Sequence, residues 1–71
     1  MLYLMWYDEA KKPLEAKLAD AVAAFRLHYN GTPNTARVND VEGASLPATV
    51  AGMRIECKPT IQKNNVWVGV E

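Results

Sequence analysis

The sequence predicts an α+β domain: a mixed β-α-β-β sheet of about four strands with one long helix packed on one face. Three observations carry this. Between 13 and 29, Leu14, Leu18, Ala21, Val22, Phe25 and Tyr29 recur at spacings of three and four. They fall within roughly a 100° arc, so the helix they form is apolar on one side and must bury that side. The segments 2–7, 36–39, 53–62 and 66–70 are short, apolar or alternating runs, which read as strands.

Length and composition narrow the possibilities. A chain of 71 residues is a single domain, 1–71, with room for one core. Such a domain buries roughly 60% of its unfolded surface and is stable by about 5 kcal/mol, a margin that self-association can raise. An apolar content of 49% argues against disorder. Eight basic and eight acidic residues cancel, which removes the general electrostatic argument for nucleic acid or anionic membrane as a partner. With Cys57 as the single cysteine, no internal disulfide can form, and a reducing, cytoplasmic setting is expected. The apolar start, 1–7, has no basic leader and is too short for a signal-peptide core or a membrane span. In that setting the acceptor-like triplet Asn30, Gly31, Thr32 is read as chance.

The elements follow in order. Segment 2–7 is a continuous apolar and aromatic run, expected as a strand in the middle of the sheet. The polar connector 8–12 leads to Pro13, which suits a first helical turn because its missing N–H would have had no partner there. The helix is expected to start near Lys12, with Glu15 in its first turn favoured by the dipole. Asn30 and Gly31 supply a left-handed cap, and Pro33 prevents resumption. On the other side of the helix, Ala16, Ala19, Ala23 and Leu27 read mainly as a solvated face. A strand at 36–39 after the helix implies a right-handed crossover and a parallel pair with the first strand. In 40–52, Ser45, Leu46, Pro47 and Ala48 suit one helical turn, with Leu46 and Val50 plugging one end of the core. In 53–62, Met53, Ile55 and Cys57 are expected to face in, with Arg54, Glu56 and Lys58 facing out. Pro59 marks a free edge, a bulge or a bend. Lys63, Asn64 and Asn65 read as a hairpin turn into 66–70.

Candidate chemistry is sparse. His28 is the only histidine, and no nucleophile motif accompanies it. Cys57 on an inward face behaves as a small hydrophobe. Asp8, Glu9, Asp40 and Glu42 would converge if the first two strands were neighbours, though loop carboxylates are usually just solvated. The glycines form no phosphate-binding loop. No catalytic residue, cofactor or metal site is expected.

What remains is an argument from area. One helix covers one face of a four-stranded sheet, which leaves Arg37, Asn39, Arg54, Glu56, Lys58 and Trp67 on the other, with Trp6 or the pair Tyr3 and Tyr7. Aromatics among arginines suit a protein–protein interface. The expected function is therefore a non-enzymatic interaction module or accessory subunit. It would self-associate as a homodimer or bind a protein partner through Trp67, Arg54, Arg37, Lys58 and Trp6. The alternative is a nucleic-acid-binding domain that stacks bases on the same aromatic and arginine face. Glu56 among the arginines and the zero net charge favour the first.

Overall fold

A computed structural model describes residues 2–71. The elements are β1 (Leu2–Tyr7), α1 (Leu14–Tyr29), β2 (Thr35–Asn39), β3 (Thr49–Val50), β4 (Met53–Lys58) and β5 (Asn65–Val70). They form one helix and a five-stranded mixed sheet in the order β1-β5-β2-β4-β3. The α+β class expected from the sequence is the observed one, with a short fifth strand added.

The helix begins one residue after Pro13, which caps it from an extended conformation (φ −56°, ψ 148°) while its carbonyl accepts from the Ala16 and Lys17 N–H groups. Asn30 ends it in the left-handed region (φ 56°, ψ 36°), with its N–H donating to the Arg26 carbonyl at 2.9 Å. Leu18, Ala21 and Phe25 are buried together with Ala36, Val38, Met53, Val66 and Val68. Leu14, Val22 and Tyr29 pack against this cluster, so the whole predicted stripe lies at the core. Lys17 is buried beside it, its Nζ donating to Asn64 Oδ1 at 3.1 Å. The opposite side of the helix is solvated, with Leu27 almost fully exposed.

Three expectations about strand placement are corrected. β1 lies at the sheet edge, paired only with β5, and its apolar run reflects two half-exposed faces. β1 and β2 run in the same direction but are not neighbours, because β5 lies between them and is antiparallel to both. β4 and β5 do not form a hairpin, because β2 separates them, parallel to β4. The connection 59–64 instead crosses the end of β2, a span of about 10 Å. Pro59 lies in this connection, just past the end of β4. The observed hairpin is β3–β4, closed by Ala51 (φ 52°) and Gly52 (φ 79°), both left-handed as a two-residue turn requires.

The crossing is held by Asn39, which is buried under the 59–64 loop and not open on the outer face as expected, and by Glu42. Buried Asn39 donates from Nδ2 to the Ile61 carbonyl at 2.9 Å, and its Oδ1 accepts from the Val41 and Glu42 N–H groups. The Glu42 carboxylate accepts from the Asn64 N–H at 2.8 Å. Residues 40–46 form turns, with no helical turn at 45–48, but Leu46 and Val50 do pack against the core as expected.

Candidate interaction surface

Strand alternation and register decide which side chains share the outer face, the sheet surface away from Phe25 and Leu18. Val66 and Val68 are buried in the core, so Trp67 between them points outward. Its partners across the ladders are Met5 on β1 and Arg37 on β2. Arg37 in turn lies opposite Glu56, and Thr35 opposite Arg54. Because Trp6 pairs with Val66 and Leu4 with Val68, the outward set of β1 is Tyr3, Met5 and Tyr7.

One half of this face is a closed ring of ion pairs. Arg37 Nε meets Glu56 Oε1 at 3.0 Å, and its terminal nitrogen meets Glu71 Oε2 at 2.9 Å. Arg54 meets the remaining oxygens, Glu56 Oε2 and Glu71 Oε1, each at 3.1 Å. The backbone of Glu71 is fixed by Asn34, which accepts from its N–H and donates to its carbonyl. The Tyr3 hydroxyl donates to the Glu71 carboxylate, and the Arg37 guanidinium lies 4.7 Å from the Tyr3 ring centre. Burial, and then the hydrogen bond to Glu71, push the Tyr3 hydroxyl up to about 12. The same bond, followed by the nearby Arg37, holds the Glu71 carboxyl below the usual carboxylate range. Glycine at 69, opposite Tyr3, lets the ring lie against bare backbone: a Cβ there would run into the Leu2 carbonyl and the ring itself.

The other half is apolar. Tyr3 and Trp67 rings are tilted at 6.3 Å, and Met5 and Tyr7 are 67% and 60% exposed. A groove of about 210 Å³ runs beside them, lined by Met5, Trp67, Asn65 and the loop residues Thr60, Ile61 and Gln62. Ile61 is buried but stands apart from the main core cluster, so the 59–64 loop closes one end of this face.

Of the five residues singled out from the sequence, Trp67, Arg37 and Arg54 come together. Lys58 shares their face, but lies past Glu56 on β4, exposed and outside the ion-pair ring. Trp6 does not join them. It packs against the core from the helix side, its Nε1 buried without an acceptor. The alternative pair Tyr3 and Tyr7 takes its place. Met5 and Glu71 were missed. Register with β5 would have revealed Met5, and nothing in the local pattern marks Glu71.

The remaining candidates stay apart. His28 is exposed, edge-on to Tyr29 at 4.6 Å. Asp8 is engaged by the Ala10 N–H and by Lys12, which hold its carboxyl below the usual range. With β5 between β1 and β2, no group of three or more His, Cys, Asp or Glu side chains among the described residues is placed to hold a metal. Cys57, expected inside, is exposed. It follows Met53 and Ile55 on the helix face of β4, but α1 lies chiefly over β5 and β1 and does not reach that end. Among the described residues, no helix is long and apolar enough to cross a membrane. Comparison with family models, curated proteins and solved structures finds no match to the chain.

Proposed function

We propose that this chain is a non-enzymatic protein–protein interaction module that self-associates, using the outer sheet face along its β1 side. The observation that carries the reading is the exposed run of Met5 and Tyr7 beside Trp67, a bulky apolar strip next to an internally neutralised ring. Aromatic and methionine side chains are the types enriched at interface centres, and a charge-balanced rim adds little repulsion against a second copy. Two-fold pairing is the commonest way in which such a strip is covered.

Both arginines that suggested a nucleic-acid platform already hold two carboxylates each, so a phosphate would have to displace Glu56 or Glu71. That weighs against the second reading. The test is mass in solution, by sedimentation across a thousandfold concentration range. The expected result is a rise to twice the chain mass, weakened severalfold by Trp67→Ser without loss of the helical signal. A wild type that stays monomeric throughout, with Trp67 fluorescence quenched by single-stranded oligonucleotide, would reverse the order of the two readings.

A further inference from the structure

We infer that self-association runs through the free edge of β1, which pairs antiparallel with β1 of a second copy in a register centred on Met5. This rests on the self-association proposed above and specifies its geometry.

The inference starts from the backbone. β1 is six residues long and bonded to β5 alone. The Asp8 N–H donates to the Asn64 carbonyl, on the β5 side, at 2.9 Å. Peptide groups alternate sides along a strand, so those of Leu2, Leu4 and Trp6 turn to β5 and those of Tyr3, Met5 and Tyr7 turn outward. An edge of this kind is a template for another strand unless something blunts it. The devices that usually do so are absent from Leu2–Tyr7, which contains no charged residue and no proline.

The occupant follows from the pattern itself. A two-fold axis normal to the sheet keeps both helices on one side and requires that residues from the same face meet. Centring that axis on Met5 places Tyr3 opposite the second copy's Tyr7 and Met5 opposite its Met5. The N–H and C=O groups of all three then find partners on both copies. Centring on Leu4 would set Tyr7 past Leu2, outside the span of the second copy's β1. The outward series Tyr3, Met5, Tyr7 reads the same in both directions, so a second copy matches it in kind as well as in spacing. On the helix face Leu4 meets Trp6, both only partly buried in the single chain. Across the seam each copy's Met5 and Tyr7 are covered laterally by the second copy's β1 side chains, and Trp67, one strand in, bears on the seam through Met5, its neighbour across the ladder.

Amide hydrogen exchange and mass, read together, test this. The Tyr3, Met5 and Tyr7 amides should gain protection in step with dimer formation as concentration rises. Met5→Pro removes an outward N–H that bonds nothing among the described residues, so it should leave the fold intact and weaken the dimer about tenfold or more. Met5→Lys, which sets like charges opposite each other, should do the same and serves if the proline variant fails to fold. A dimer in which those three amides exchange freely, or one that Met5→Pro leaves intact, overturns edge pairing while self-association stands. A wild type monomeric at the highest concentration overturns both.

Discussion

The sheet ends on one side in the six residues of β1 and on the other in the two residues of β3, and the two margins are finished differently. Beyond β3 the chain turns at once through Ala51 and Gly52, Pro47 precedes it, and the uncovered end of β4 carries Glu56, Lys58 and then Pro59. Short length, charge and proline are the means by which an edge is kept from pairing. β1 has none of them, and its side chains there are apolar or aromatic. The helix differs between the margins too, since α1 lies chiefly over β5 and β1, while the far end of β4 has only the 40–46 turn beside it. The covered margin has the open edge, and the uncovered margin has the guarded one. A chain that guards one edge can guard both, which is why the bare edge of β1 reads as a surface with a use.

The largest expected effect comes from removing what both margins share. Phe25 is 1% exposed at the centre of the core, and Phe25→Ala should cost about 3–5 kcal/mol, most of the stability of a domain this size. Arg26→Ala, on the solvated side of the same turn, should be nearly silent in a thermal melt. Equal melting of the two variants would mean that the core is not organised around Phe25.

Next come two glycines, one at each margin. Gly69→Ala drives a methyl group into the Leu2 carbonyl and the Tyr3 ring and should cost about 1–3 kcal/mol by forcing β1 away from β5. Gly52→Ala meets open space, and its cost is only that of a left-handed conformation, about 1 kcal/mol. Chemical denaturation should rank the two in this order, with only Gly69→Ala also weakening self-association. A Gly52→Ala variant less stable than Gly69→Ala would mean that the β3–β4 turn matters more to the sheet than the close approach of β1 to β5.

How much of this the sequence carried depends on what each feature is made of. The helix was legible almost to the residue, because its period, Pro13, Asn30 and Gly31 are local signals. The facing of Trp67 was equally legible from its neighbouring valines. Strand order was not. Leu2 to Tyr7 is apolar throughout whether the strand is central or an unguarded edge, and only pairing with β5 tells the two apart. The supposed hairpin at Asn64 failed for a related reason. Asn64 does adopt a left-handed conformation (φ 67°), but it closes a crossing held by Asn39 on Ile61 and by Glu42 on Asn64, contacts 22 positions apart in sequence that no turn signal encodes. Trp6 was placed on the wrong face because alternation gives two sets per strand and only register chooses between them.

The ion-pair ring joins the margins through Glu71, which links Tyr3 of β1 with Arg37 of β2 and Arg54 of β4. The Glu71 carboxyl is lowered in the fold from its ordinary 4.5, first by Tyr3 and then by Arg37. Its contribution is therefore complete above pH 4.5 and is lost as pH falls from there through the lower folded value. Tyr3 runs the other way: raised from 10.0 to about 12, it contributes fully below pH 10 and loses that contribution as pH rises toward 12. Glu71→Gln should remove this part of the acid limb in a plot of melting temperature against pH and shallow the alkaline limb, where the burial of Tyr3 remains. Superimposable curves for variant and wild type would show the ring to be energetically idle.

The smallest effect on stability, and the sharpest on chemistry, is expected at Cys57. Met53, Ile55 and Cys57 share one face of β4, yet they pass from fully buried through half-buried to exposed as the strand leaves the cover of α1. Segment 40–46 lies nearby, close enough that a methyl group at Gly43 would meet the Cys57 sulfur, but it leaves the residue exposed. A thiol reagent should therefore modify Cys57 in the native protein at nearly the rate seen in denaturant. Cys57→Ser should leave the melting temperature unchanged, because an exposed thiol contributes little burial. Strong native protection of the thiol would mean that the turn at 40–46 covers the end of β4. The guarded margin would then be covered as well as short, and the contrast with β1 would be wider still.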